Sequence, residues 1–128
     1  MEAKRIFILD TSAIVTYFAN EKEAGIVLKN LPESKIPFIC LSELYYLIWN
    51  KKGRAEADKI YGILKNWGLP ILYPNERIIL NAGRIKAVYK LGISDSYIAA
   101  FALEEDAQLI TKDRDFKILA DEIRILFL

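Results

Sequence analysis

The sequence predicts an α/β fold, a three-layer α/β/α sandwich around a central, mainly parallel five-stranded sheet. Two patterns point there. Short apolar runs recur at Ile6–Leu9, Ile36–Leu41, Pro70–Tyr73, Ala107–Thr111 and Ile123–Leu128, and longer stretches with helical spacing separate most of them. Most of these runs are continuously apolar rather than alternating, as expected of strands buried on both faces of a parallel sheet. A third observation sets the scale. The chain has 128 residues, 53% hydrophobic and 27% charged, which is enough for one domain spanning residues 1–128 with a full core and is incompatible with disorder.

The elements follow in order. Ile6–Leu9 ends abruptly on Asp10, Thr11 and Ser12, and a short helix over Ala13–Ala19 comes next. Asn20 reads as the cap of a second helix, with Glu21 and Glu23 in its first turn and Lys29 in its last. Leu31-Pro32-Glu33-Ser34 breaks it, and Ile36–Leu41 is the second strand. Ser42 then reads as the cap of a helix with Glu43 in its first turn, an apolar stripe of Leu44, Leu47 and Ile48, and a stop at Lys51-Lys52-Gly53. Arg54–Trp67 carries Ile60, Ile63, Leu64 and Trp67 at helical spacing and stops at Gly68. After the third strand, Pro74-Asn75 leads into a helix over Glu76–Tyr89 that Gly92 ends. Ser94 opens the next helix, with Asp95 in its first turn. The fourth strand is followed by Asp113-Arg114-Asp115-Phe116 and a short helix over Lys117–Ala120.

Composition removes several classes of function. There is no histidine, so a Ser-His-Asp or Cys-His site, a histidine base and a histidine-ligated zinc are all excluded. A hydrolase built from this inventory uses carboxylates, and those favour hard cations such as Mg²⁺ or Mn²⁺. The net charge of +1 announces no nucleic-acid binder, so any such binding relies on a local basic patch. The single cysteine, Cys40, rules out an internal disulfide, suits a reducing cytosol and reads as a small buried hydrophobe. Lys4 and Arg5 precede only four apolar residues, so no signal peptide is expected, and no run is long enough to span a bilayer. The expected location is cytoplasmic, without a membrane partner.

The acids are unevenly placed. Asp10 follows the first strand, Glu43 the second, and Asp113 and Asp115 the fourth. In a parallel sheet those ends share one edge, and ligands bind beyond it where the strand order reverses. A helix returning toward the start of the fourth strand begins at that edge too, so Asp95 joins them. Each acid has an ordinary reading: Asp10 caps a helix, Glu43 and Asp95 are first-turn acids, and Asp113 caps the short helix near Phe116. Other acids, among them Glu21, Glu23, Glu56, Asp58, Glu104 and Glu105, fall on helix surfaces. Crowded carboxylates repel one another unless a cation neutralises them, so the set as a whole is a poor stability device and a good divalent-metal site.

Four segments carry a family resemblance: Leu9-Asp10-Thr11-Ser12, Leu41-Ser42-Glu43, Asp95-Ser96-Tyr97-Ile98-Ala99-Ala100 and Leu109-Ile110-Thr111-Lys112-Asp113-Arg114-Asp115-Phe116. In order and approximate spacing they resemble the motifs of PIN-domain ribonucleases, in particular the small prokaryotic VapC-type toxins of type II toxin–antitoxin systems. The resemblance spans nearly the whole chain. It implies a PIN-like fold in which Asp10, Glu43, Asp95 and Asp113 hold Mg²⁺ or Mn²⁺, with Asp115 as an auxiliary acid and Ser12 and Thr111 as polar neighbours of the metal. It also implies an RNA substrate, a homodimer and a small inhibitory antitoxin protein.

The expected chemistry is metal-assisted hydrolysis of RNA phosphodiester bonds, with Asp95 or Asp113 taking the proton of the attacking water. Lys112 and Arg114 flank Asp113 and are the expected contacts to the RNA backbone. Lys4, Arg5, Lys51, Lys52, Arg54, Arg84, Lys86 and Lys90 are further candidates. Tyr45, Tyr46 and Trp49 read either as core or as a dimer surface. Two rivals remain. One is a non-catalytic PIN-like module that binds RNA or protein. The other is a phosphotransfer receiver, which is disfavoured because Asp10 stands alone after its strand and the third strand ends in Tyr73-Pro74-Asn75.

Overall fold

A computed structural model describes residues 5–128 of the chain. Lys4, one of the candidate RNA contacts, lies outside the described residues. The strands are β1 (Phe7–Leu9), β2 (Ser34–Pro37), β3 (Ile71–Leu72), β4 (Gln108–Thr111) and β5 (Ile125–Phe127). They form one sheet in the order β3-β2-β1-β4-β5, with every pair parallel. Ile8 stands opposite Lys35 on one side and Leu109 on the other, and Leu109 in turn faces Ile125.

The helices are α1 (Thr11–Phe18), α2 (Ala24–Asn30), α3 (Phe38–Lys52), α4 (Arg54–Asn66), α5 (Glu76–Tyr89) and α6 (Ile93–Glu104). A 3-10 segment, Arg114–Leu119, joins β4 to β5. Right-handed crossovers place α1 to α4 on one face of the sheet and α5, α6 and the 3-10 segment on the other. This is the expected sandwich. Its centre is fully buried: Ile8, Leu9, Leu109 and Ile110 from β1 and β4 are sealed by Ile14 of α1 and by Ile98, Ala99 and Phe101 of α6. The order turns back between β1 and β4, so a crevice opens at the carboxyl ends of those two strands.

Several boundaries differ from the sequence reading: α1 starts at Thr11 rather than Ala13, the expected helix Lys117–Ala120 is a 3-10 segment over Arg114–Leu119, and others move for the following physical reasons. The run Ile36–Leu41 is not all strand. Pro37, which has no N–H to extend a ladder, ends β2 and caps α3, and Cys40 and Leu44 are buried at helical spacing. Ser42 is therefore inside α3 rather than its cap, and its hydroxyl donates to the carbonyl of Ile39. Glu43 lies in the second turn of α3, not the first. Asn20 does not cap α2: it takes a left-handed φ of 52° just past α1, and α2 begins after Glu23 without a side-chain cap. Gly92 does not end α5. Lys90, with φ 62°, does that, and Gly92 caps α6, which starts at Ile93.

Candidate active site

Asp10 leaves β1 as its backbone N–H donates to the carbonyl of Ile110, which fixes it beside β4. Asp10 is only 4% exposed, and its carboxylate accepts three hydrogen bonds: from the Thr11 N–H (2.8 Å), the Ser12 hydroxyl (2.7 Å) and the Thr111 hydroxyl (2.7 Å). Asp10 is thus the cap of α1 as well as a cleft residue, so the ordinary reading and the functional one are both realised. Burial still pushes its carboxyl above the ordinary value; the three donors oppose that rise, and nearby Asp113 adds to it.

Ser12 and Thr111 connect the two strand ends. The Ser12 oxygen lies 3.2 Å from that of Thr111 and accepts the Lys112 N–H at 2.9 Å. The Thr111 oxygen accepts the Asp113 N–H at 2.9 Å. Asp113 caps the 3-10 segment through the Asp115 N–H (2.9 Å), as the sequence suggested. Glu43 reaches across from α3, and its Oε1 accepts the Thr11 hydroxyl at 2.9 Å. Desolvation raises the Glu43 carboxyl too, with a further push from Asp10.

Asp95, in the first turn of α6, shows the crowding most clearly. Partial burial, followed by repulsion from Asp10, Asp113, Glu43 and Asp115, pushes its carboxyl up to about 7. A position at a helix N-terminus ordinarily favours the ionised form, so these effects outweigh the helix dipole. Asp10, Glu43, Asp95 and Asp113 all line one cleft of about 360 Å³, together with Thr11, Ser12, Glu21 and Lys112. Asp95, Asp113 and Asp115 each offer a carboxylate oxygen within 4.8 Å of the others. The four acids expected to converge therefore share one cleft, and Asp115 adjoins two of them.

The expected basic residues are less available than their sequence positions suggested. Lys112 lines the cleft, but its ammonium pairs with Glu21 and also with Glu23, at 3.2 Å from the latter. These two acids, read from the sequence as helix surface, belong to the turn between α1 and α2 and stand beside the site. The Arg114 guanidinium lies 4.7 Å above the Phe127 ring and donates to the carbonyl of Leu128 at 3.3 Å, so it sits over β5 rather than over the acids. Among the described residues, no lysine or arginine forms an ion pair with Asp10, Glu43, Asp95, Asp113 or Asp115. A converging set of hard oxygen donors without a neutralising side chain fits a divalent cation such as Mg²⁺ or Mn²⁺.

Tyr45, Tyr46 and Trp49 do not form core. Tyr46 and Trp49 are 50% and 44% exposed, and Tyr45 packs edge-on against Trp49 and Tyr61 between α3 and α4. Cys40 is buried as expected, and its thiol donates to the carbonyl of Leu9 at 3.6 Å. No helix among the described residues is long and apolar enough to cross a membrane.

Likeness to known proteins identifies the family and the fold. Residues 7–122 match the PIN domain family. The chain is similar to Ribonuclease VapC1 of Haemophilus influenzae strain R2866, with 29% identity over 126 residues covering 91% of this chain and 93% of the relative. Among solved structures, it resembles a chain of VapBC-1 from nontypeable Haemophilus influenzae with TM-score 0.75 and 27% identity, over 95% of this chain and 97% of that one. It also resembles a chain of DNA-bound VapBC from Salmonella typhimurium with TM-score 0.80 and 22% identity, over 97% and 98% of the two chains, a likeness of fold.

Proposed function

The chain belongs to the PIN domain family, and from that membership we propose that it is a Mg²⁺- or Mn²⁺-dependent ribonuclease, the toxin of a toxin–antitoxin pair. One observation carries the reading: four carboxylates, at the ends of β1 and β4 and on α3 and α6, line a single cleft, and no lysine or arginine among the described residues forms an ion pair with them. Asp10, Glu43, Asp95 and Asp113 would hold the metal, with Asp115 as auxiliary ligand. The bound ion supplies Lewis acidity and a water of lowered pKa.

The chain's own groups do the rest. Ser12 and Thr111 hold the Asp10 carboxylate and fix the turn that carries Asp113. Asp95 or Asp113 accepts the proton of the attacking water, whose oxygen bonds to phosphorus as the ester P–O bond breaks. Lys112 contacts the RNA backbone by exchanging its carboxylate partners for a phosphate, and Arg114 contacts it from its place over β5, outside the acid cleft. Relatives named as VapBC complexes support a small antitoxin protein as partner. The exposed Tyr46, Leu47 and Trp49 of α3 support a further protein contact such as a homodimer.

An RNA cleavage assay with purified protein tests the proposal. Cleavage should require Mg²⁺ or Mn²⁺, stop in EDTA and fall at least about 100-fold in Asp10→Asn. Cleavage that survives both EDTA and Asp10→Asn refutes it. RNA binding without any cleavage by the wild-type protein favours a non-catalytic binding module instead.

A further inference from the structure

We propose that Thr11 is a positioning residue of this centre: its hydroxyl holds the Glu43 carboxylate in the cleft that Asp10 also lines. The inference rests on reading the acids as a metal site and adds to it a residue outside the acid set.

Thr11 is the first residue of α1 and is 6% exposed. It grips two acids at once. Its backbone N–H donates to Asp10 Oδ1 at 2.8 Å, and its hydroxyl donates to Glu43 Oε1 at 2.9 Å across 32 residues of sequence. Glu43 needs such a partner more than Asp10 or Asp113 does. Asp10 and Asp113 have short side chains held by their own turns, through the Thr11 and Asp115 N–H groups. Glu43 projects from the second turn of α3, where no cap geometry restrains it, and its longer side chain has more rotamers to choose among. The backbone beneath it is already anchored, because Cys40, one turn earlier on α3, donates its thiol to the Leu9 carbonyl. The Thr11 hydroxyl then restrains the side chain itself.

The donor's chemistry matters as well. A lysine or arginine in this place would orient Glu43 and also neutralise it, competing with the cation. A hydroxyl donates one hydrogen bond and brings no charge of its own. Outer contacts of this kind orient metal ligands and change affinity by about 10–100-fold when lost.

The test is Mn²⁺ binding to the purified full-length protein, read by electron paramagnetic resonance of the free ion, with no RNA present. Thr11→Val keeps the shape and removes the hydroxyl, and it should weaken Mn²⁺ binding by about 10-fold or more. Thr11→Ser keeps the hydroxyl and should stay within about twofold of wild type. In a Glu43→Gln background, Thr11→Val should add no further loss, since Thr11 acts through Glu43. Near-ultraviolet circular dichroism checks each fold, and Thr11→Ala replaces Thr11→Val if the valine is not accommodated. Wild-type affinity in the folded hydroxyl-less variant overturns the inference alone, as does an equal loss in Thr11→Ser. A wild-type protein that binds no Mn²⁺ overturns the metal reading and the positioning role with it.

Discussion

Replacing Asp95 by asparagine should stabilise the metal-free protein. The folded state holds this carboxyl at about 7, against an ordinary value of 3.8. The folded form therefore retains the Asp95 proton where the unfolded chain has released it. Stability is full below the ordinary value and is lost as pH rises toward about 7. At full strength that gap is worth about 4 kcal/mol. Asp95 is only partly buried, so solvent screening reduces this to about 2 kcal/mol. Asparagine has nearly the same shape and carries no charge. In EDTA near pH 8, Asp95→Asn should melt about 5–10 °C above wild type, for a domain of this size. The difference should shrink as pH is lowered toward about 4, where wild-type Asp95 is neutral in both states. Millimolar Mg²⁺ should raise the wild-type melting temperature more than that of the variant, since the ion relieves the repulsion the substitution has already removed. Differential scanning fluorimetry across pH, with and without Mg²⁺, reads all three effects. An Asp95→Asn protein no more stable than wild type near pH 8 without metal would show that the carboxylates do not strain the fold and need no cation to relieve them.

Other substitutions separate scaffold from site. Thr111→Val removes the 2.7 Å donor to Asp10 and the acceptor of the Asp113 N–H; it should cost about 1–3 kcal/mol in urea denaturation and reduce cleavage. Leu109→Ala, at a fully buried position in β4, should cost about 2–5 kcal/mol by the same measurement while leaving Mn²⁺ affinity within about twofold when folded. The pair Glu21→Gln and Glu23→Gln frees the Lys112 ammonium from both its carboxylates. RNA binding by the doubly substituted protein should tighten, and the salt dependence of log K should steepen by about one; filter binding over a salt series checks this.

How much of this was legible beforehand differs from element to element. β1 and β4 are short apolar runs ending in acid-rich turns, and both the strands and the convergence of Asp10 with Asp113 follow from local sequence and parallel topology. The boundary between β2 and α3 does not, because an unbroken apolar run has no period to separate buried strand from buried helix. Glu43 still reaches the cleft, from a later helical turn than its position after Ser42 suggested. The partners of the charges were hidden. Lys112 beside Asp113 looks like a free phosphate contact in sequence, and only folding brings Glu21 and Glu23 back to it around the left-handed Asn20. Arg114 likewise settles over Phe127, a residue thirteen positions ahead on the last strand. Thr11 lay inside a recognised motif, yet its contact with α3 spans 32 residues and leaves no local mark.

The engagement of Lys112 by Glu21 and Glu23 bears on the order of events in turnover. With that lysine occupied, the mouth of the cleft presents a strongly anionic field to an approaching polyanion, and encounter is slowed in proportion to that field. In the proposed nuclease a divalent ion would offset part of that charge, and a phosphate could then draw the lysine from its carboxylates. On the proposed reading, catalyst assembly and nucleic-acid capture would be successive stages of one pathway, with metal availability controlling entry to the second.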